Sequence, residues 1–276
     1  QERAELIMLS DIAGYVGADT CGCLLAIRQD QQEEISLMID IGTNGEMVLG
    51  NRERMVTCST AAGPAFEGAK IECGMRGAAG AVDHVKYEDG KWNYTTVGNK
   101  PAVGLCGSGL IDLVAGLLDA GMLDENGVLR SGQEKQGVFI LVPPERGGNE
   151  RGVYLTQKDL GEVQLAKAAI AAGIQMLMER LGITEDDICS VYIAGAFGNY
   201  MDPVSAGKIG LLPATLVKKV KPVGNAAGEG AKIALVNEKE MLEMDELVRK
   251  IEFVELAASA DFQDHFIDEL GFETGE

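Results

Sequence analysis

The sequence has 276 residues, of which 46% are hydrophobic and 24% charged, and a formal net charge of −19. This size and composition are typical of a globular protein with one large domain or two lobes. The negative charge argues against nucleic acid or an anionic membrane as a partner.

The start of the chain, QERAELIMLS, lacks the basic and apolar regions of a signal peptide, and no apolar segment is long enough to cross a membrane. The chain does not begin with Met, so we expect a piece of a longer protein or a processed one. We interpret residues 1–34 as the remnant of a first lobe or a linker, with a helix at Ala18–Ile27. Residues 35–276 are interpreted as a second lobe.

The segment LMIDIGTNGEMVLG, residues 37–50, predicts two paired strands, because Asn-Gly between apolar runs is a strong hairpin signal. Asp40 is unusual in this segment, since a carboxylate among apolar residues is costly to bury without a partner. A tip of small residues leaves backbone N–H groups accessible to phosphate oxygens, and an Asp at its base suits Mg²⁺. The turn alone fits any hairpin, but together with Asp40 it indicates a nucleotide phosphate site.

Further elements are predicted from hydrophobic period and turn residues. They are a third strand at Met55–Cys58, a tight loop in residues 59–71 with the start of a helix at Phe66–Ile71, a second hairpin in residues 82–97, and an amphipathic helix that follows Gly107–Gly109.

Residues 124–153 are rich in turn residues and contain one predicted strand, Val138–Val142. Thr156 and Asp159 match a capping box, which predicts the start of a long helix that ends at Gly182.

The last third of the chain alternates strands and helices. We predict a buried strand running into a glycine-rich turn in residues 190–200, a short helix at 203–209, and a strand followed by a helix in 220–235. Residues 237–276 are interpreted as helical. This order is typical of an α/β protein in which helices cover a central sheet.

Glycine-rich stretches recur where predicted strands end or helices begin, and such junctions border the ligand crevice in open α/β sheets. Each stretch alone is weak evidence, because glycine is first of all a turn residue. The sequence contains neither a P-loop nor a Gly-x-Gly-x-x-Gly motif after a strand. The stretches are Asp40–Glu46, Ser59–Gly63, Gly107–Gly109, Gly195–Gly198 and Val223–Asn225.

The cysteines fit neither zinc nor iron–sulfur spacing, and we interpret them as small buried thiols in a reducing cytoplasm. The chain has only two histidines, which argues against a histidine metal site and against a Ser-His-Asp triad. The cysteines are Cys21, Cys23, Cys58, Cys73, Cys106 and Cys189.

Asp-x-Gly-Thr on a hairpin, with a later apolar strand that ends in Ala-Gly-Ala-Phe-Gly, resembles the actin-like ATPase superfamily of acetate and sugar kinases, heat-shock chaperone ATPase domains and actin. The resemblance implies an α/β, ribonuclease H-like fold with a mixed sheet flanked by helices. We expect the C-terminal part of the two-lobed domain.

A closer resemblance covers nearly the whole chain. The strings VGADT, IDIGTNGEMVLGN, CSTAAGPAFEGAKIECGMR, GLCGSGLIDL, IAGAFGNYMD, IGLLP and VGNAAGEGA are similar to the C-terminal domain of reductive activators of corrinoid proteins. This implies ATP-dependent reactivation of a cobalamin-bearing methyl-transfer protein, with Co(II) returned to Co(I), and a homodimer as the expected assembly.

The chain departs from that family in two respects. Family members carry an N-terminal plant-type [2Fe–2S] domain, which the cysteines here do not supply, so the cluster is expected only in a domain outside this sequence. The family also has a first phosphate hairpin upstream of VGADT, and no such hairpin is evident in residues 1–20.

The resemblance implies roles for single residues. Asp40 is the candidate catalytic residue and would hold Mg²⁺ or orient a phosphate. Two interpretations of Glu67 stay open: it contacts a metal ion or water, or it is a carboxylate at the start of a helix. Arg76 likewise either contacts a phosphate or forms a surface ion pair. For Ser59, Thr60, Gly63 and the 107–109 stretch, lining the cleft and forming packing turns stay equally open. The candidate ATP-binding residues are Gly42, Thr43, Asn44, Gly45, Ser59, Thr60, Gly63, Gly107, Ser108, Gly109, Gly195, Ala196, Gly198, Gly224 and Asn225.

Two other functions stay open. The acidic chain can act as a docking module for the corrinoid protein without binding nucleotide itself. A small-molecule kinase of the same superfamily is the other alternative, although it needs an Asp general base, and no aspartate besides Asp40 stands out.

Overall fold

The computed structural model describes residues 8–130 and 137–272. Its strands are β1 Ile35–Ile41, β2 Gly45–Gly50, β3 Met55–Thr60, β4 Ala81–Glu88, β5 Lys91–Thr96, β6 Gly104–Leu105, β7 Val138–Val142, β8 Val153–Thr156, β9 Ile188–Ala194, β10 Val220–Gly224 and β11 Ile251–Phe253. Its helices are α1 Ala18–Ile27, α2 Gly107–Asp119, α3 Gln157–Leu181, α4 Gly195–Gly198, α5 Pro203–Lys208, α6 Ala226–Val236, α7 Glu238–Val248 and α8 Ala260–Asp268.

The main sheet has six strands in the order β10-β9-β1-β2-β3-β11. The strands β1, β2 and β3 form an antiparallel meander, whereas β9 runs parallel to β1 and β10 runs parallel to β9. The mixed sheet expected from the resemblance is therefore present.

Helices cover both faces of this sheet. Leu37 and Ile39 of β1 belong to the core cluster that contains Ile170 of α3. Met38, between them, belongs to a second cluster with Leu24 of α1. Successive side chains of a strand point to opposite faces, so β1 is buried on both sides, and only Ile35 and Asp40, near its two ends, are partly exposed.

The described residues form two further, smaller sheets. One has the order β5-β4-β6 and the other pairs β7 with β8. The predicted hairpin of residues 82–97 is confirmed as β4 and β5, and the strand Val138–Val142 is confirmed as β7. Residues 131–136, part of the segment predicted to be turn-rich, lie outside the described residues.

The capping box at the start of α3 is confirmed. The N–H of Asp159 donates to the Thr156 hydroxyl at 3.1 Å, and the Asp159 carboxylate accepts the N–H of Thr156 at 2.9 Å. The helix ends at Gly182, whose φ of 69° is left-handed. The N–H of Gly182 donates to the Glu179 carbonyl at 3.0 Å, so backbone groups that would lack partners are hydrogen-bonded at both ends of the helix.

Two predicted elements are wrong. Phe66–Ile71 is not a helix, because the chain makes a short 3₁₀ turn at Pro64–Glu67 and then reverses at Gly68, whose φ is 80°. The segment from residue 237 is not helical throughout, since β11 lies within it and extends the sheet parallel to β3.

Helices α1 and α6 touch through their backbones. A Cβ atom on Gly230 would lie 1.9 Å from the Gly22 carbonyl oxygen, and one on Gly22 would lie 2.8 Å from the Ala227 carbonyl oxygen. The helix predicted at Ala18–Ile27 is confirmed as α1, and its position against α6 depends on these two glycines.

Within the described part of the chain, no helix combines the length and the apolar character that a membrane span needs.

Candidate functional site

Three strands deliver their carboxyl ends to one edge of the main sheet. In the parallel register, Asp40 of β1 lies opposite Ala194 of β9, and Gly224 of β10 lies opposite the same Ala194. The base of the hairpin, the turn that begins at Gly195, and Gly224 therefore meet. This edge is where open α/β sheets bind ligands.

Asp40 is the half-buried carboxylate of this edge. Its Oδ1 atom lies 3.0 Å from the point where a Cβ of Gly195 would be, and Gly195 has a left-handed φ of 85°. Burial raises the pKa of Asp40 above its usual value, and the charge of Asp19 raises it further, while the thiol of Cys23 lowers it. No Lys or Arg ion pair to Asp40 occurs among residues 8–130 and 137–272, so its charged form favours an added cation.

Two further carboxylates face the same region, and the sequence interpretation missed both. Glu46 lies directly across the hairpin from Asp40, and burial raises its pKa, with the charges of Asp19 and Asp40 adding to the effect. Asp19 is exposed in the first turn of α1, where its Oδ1 accepts the N–H of Thr20 at 2.8 Å. Glu46 could have been predicted from the sequence, because the register of the hairpin pairs it with Asp40. Asp19 could not have been predicted, because only the packing of α1 against the sheet brings it near Asp40.

The three carboxylates do not make a ready metal cage. Within the described ranges, no group of three or more His, Cys, Asp or Glu side chains has the arrangement of a metal site. The arrangement instead suits Mg²⁺, which keeps most of its waters and takes one or two carboxylates together with phosphate oxygens.

The tip of the hairpin is held by the loop that follows β3. The N–H of Gly42 donates to the Asn44 carbonyl at 2.9 Å, which closes the tip, and Thr43 and Asn44 are exposed. The N–H of Gly63 donates to the Thr43 carbonyl at 2.8 Å, and the Thr43 hydroxyl donates to Glu67 Oε1 at 2.5 Å. The carboxylate of Glu67 is thus hydrogen-bonded to the hairpin tip.

The glycine-rich turn after β9 is the short helix α4. A Cβ on Gly198 would lie 2.5 Å from Cγ2 of Ile193, so this glycine is required by packing. Phe197 stacks on Phe66 with ring centroids 5.7 Å apart, which joins the turn to the loop after β3. Ala196 lies in α4 between the two candidate glycines.

At the next strand end, Gly224 has a left-handed φ of 61° and lies beside Asn199. The side chain of Asn225 accepts the N–H of Gly228 at 3.0 Å and so caps α6. Gly224 therefore borders the shared edge, whereas the side-chain oxygen of Asn225 is already hydrogen-bonded to the N-terminus of α6.

Several candidate residues have contacts that favour packing turns. Thr60 is buried and its hydroxyl donates to the Gly45 carbonyl at 3.3 Å. Ser108 is buried and donates to the Asp83 carbonyl at 2.8 Å. A Cβ atom added to Gly107 would lie 2.0 Å from the carbonyl oxygen of Phe66. One added to Gly109 would lie 2.2 Å from the carbonyl oxygen of Val82.

Ser59 and Arg76 are two further candidates. The Ser59 hydroxyl donates to Glu46 Oε1 at 3.2 Å, which links β3 to the carboxylate opposite Asp40. Arg76 is exposed in a loop, and no ion pair of its guanidinium is seen in the described part of the chain.

The thiol of Cys23 beside Asp40 is expected to be unreactive. Burial and the charges of Asp40 and Asp19 raise its pKa to about 12, and burial with Asp11 and Asp19 raises that of Cys21 to about 12. At pH 8 such a thiol is about 10⁻⁴ thiolate. We predict that N-ethylmaleimide labels the exposed Cys189 first, as read by peptide mass spectrometry. Labelling of Cys23 as fast as Cys189 in the folded protein would contradict this, and Cys189→Ser is the control.

Comparison with known proteins agrees with this architecture. Residues 34–276 match the family described as the C-terminal domain of RACo, the ASKHA domain. A solved structure titled reductive activator for corrinoid, iron–sulfur protein superposes with a TM-score of 0.89 at 40% identity, covering 96% of this chain and 44% of that one.

Two curated relatives are similar in sequence. The corrinoid activation enzyme RamQ of Eubacterium limosum is 38% identical over 271 residues, which are 93% of this chain and 45% of that protein. The [Co(II) methylated amine-specific corrinoid protein] reductase of Methanosarcina barkeri is 30% identical over 296 residues, covering 99% of this chain and 52% of that protein. The chain thus spans about half the length of these relatives. It belongs to the family of RACo C-terminal domains and has the actin-like ATPase (ASKHA) fold.

Proposed function

We propose that this chain is the nucleotide-binding part of a protein that reductively reactivates a corrinoid methyl-transfer protein, returning Co(II) to Co(I) at the expense of ATP. The family and the names of the relatives support the reactivation role and the corrinoid protein as partner. The observation that carries the nucleotide part is the half-buried Asp40 at the shared strand edge, beside Gly195 and the exposed hairpin tip.

The residues of this edge have separate tasks in the proposal. The hairpin tip, with the hydroxyl of Thr43, binds phosphate oxygens, and Gly195 lets the adenosine side approach the backbone. Asp40 would hold the Mg²⁺ of the nucleotide, and that ion would neutralise part of the phosphate charge. Asp19 and Glu46 add negative potential that favours the cation.

The electron that reduces Co(II) comes from outside this chain in the proposal. Four of the six cysteines are buried, and we propose that the [2Fe–2S] cluster belongs to a separate domain of the full protein. ATP can assist an unfavourable reduction only if it binds or hydrolyses differently in two states of the complex. Closure of a cleft on nucleotide is such a two-state motion.

Calorimetric titration of the chain with ATP tests the nucleotide part. We expect one site per chain with a Kd in the micromolar range in Mg²⁺, and at least about 10-fold weaker binding in excess EDTA, since the carboxylates repel free phosphate. Absence of binding in Mg²⁺ would reject the proposal. If the chain then still bound a corrinoid protein, the docking alternative would replace it.

A further inference from the structure

The Thr43 hydroxyl at the hairpin tip is already engaged. It donates to Glu67 Oε1 at 2.5 Å, and the carbonyl of the same residue accepts the N–H of Gly63 at 2.8 Å. Both Thr43 and Glu67 are exposed side chains on the surface of the site. The tip is therefore bonded at two points to one short loop, residues 61–67.

A threonine hydroxyl has one proton to donate. It can serve the Glu67 carboxylate or a phosphate oxygen, but not both at once. The carboxylate also places a negative charge within hydrogen-bond distance of the atom that would meet the phosphate, and like charges at this range repel. Glu67 and a phosphate group are therefore competitors for Thr43.

The competing loop is connected to the adenosine side. Glu67 follows Phe66 directly, and Phe66 is buried and stacked on Phe197 of α4. The carbonyl of Phe66 also lies against Gly107 at the start of α2. A change at Glu67 thus acts on a loop that contacts both the hairpin and the turn after β9.

We propose that Glu67 is a positioning residue that senses nucleotide phosphate: phosphate bound at the hairpin takes the hydroxyl of Thr43 and releases the side chain of Glu67. This inference rests on the proposed nucleotide site. It makes Glu67 a residue that opposes phosphate binding, in contrast to a metal or water ligand, which would assist it.

Titration of four variants with Mg-ADP and Mg-ATP tests the competition. Glu67→Gln keeps the shape, removes the charge and weakens the hydrogen bond, so we expect about 3- to 10-fold tighter binding than in the wild type. In a Thr43→Val background the same substitution is expected to change the Kd less than 2-fold, because no hydroxyl remains to compete for. Glu72→Gln, an equal charge change further along the same segment, is expected to leave the Kd unchanged.

The outcomes separate this inference from the proposed function. A wild-type chain that binds no Mg-nucleotide overturns both. A chain that binds, but in which Glu67→Gln weakens binding or leaves it unchanged, overturns the competition alone.

Discussion

Replacing Asp40 by asparagine is expected to weaken Mg-ATP binding by about 10- to 100-fold, while making the fold more stable. The loss follows from the position of the carboxylate at the shared strand edge, where it is the half-buried acid beside Gly195. Isothermal titration of the wild type and the variant measures it. Retention of tight, Mg²⁺-dependent binding in the variant would remove Asp40 from the site.

The gain in stability follows from the raised pKa of Asp40. A carboxyl whose pKa is higher in the folded than in the unfolded state favours folding when protonated, and this contribution is lost as pH rises through the folded-state pKa. The neutral amide of the Asp40→Asn variant has no such loss, so we expect about 0.5–2 kcal/mol of added stability at pH 7 and a smaller difference at pH 4. Thermal unfolding at both pH values checks the sign. Asp264→Asn, an equal charge change at an exposed position of α8, is the control.

Replacing Gly109 by alanine is expected to destabilise the protein by about 3 kcal/mol. The new Cβ would lie 2.2 Å from the carbonyl oxygen and 2.8 Å from the carbonyl carbon of Val82, so α2 would have to move away from β4. Both atoms belong to the backbone and cannot rotate aside. Denaturant unfolding measures the change.

Gly161→Ala in α3 is the matched control. Apart from the backbone of its own helix, no atom of the described residues lies within 4 Å of its new Cβ. Alanine is also the better helix former, so we expect about 1 kcal/mol of added stability. If Gly109→Ala were as stable as the wild type, the close approach of α2 to β4 would be wrong.

Local signals in the sequence were sufficient for most of the fold. The Asn-Gly turn, the capping box at Thr156 and the glycine at 182 each act over a few residues, and each predicted its element correctly. The three-residue β11 was missed because so short a strand has no measurable period, and its pairing with β3 is decided by tertiary contacts. The helix predicted at Phe66–Ile71 ignored Gly68, which adopts a left-handed conformation there.

The candidate site was only partly predictable. Asp40 and the hairpin tip are contiguous in the sequence, so a carboxylate beside a small-residue turn was recognisable. Asp19 and Glu67 reach the same place through the docking of α1 and of the loop after β3, which no local pattern encodes. From the sequence, Gly107 and Gly109 could not be distinguished from the glycines of the other stretches. In the structure they allow the start of α2 to pack against the backbone of Phe66 and Val82.

The backbone contact between α1 and α6 has a consequence during synthesis. Gly22 meets Gly230 only after about two hundred further residues have left the ribosome, a delay on the order of 10–40 s at 5–20 residues per second. During this time Leu24 and Leu25, both buried in the finished protein, have no α6 to cover them. The nascent chain therefore presents an apolar helix early, and Asp19 joins the acidic edge among the last steps of folding.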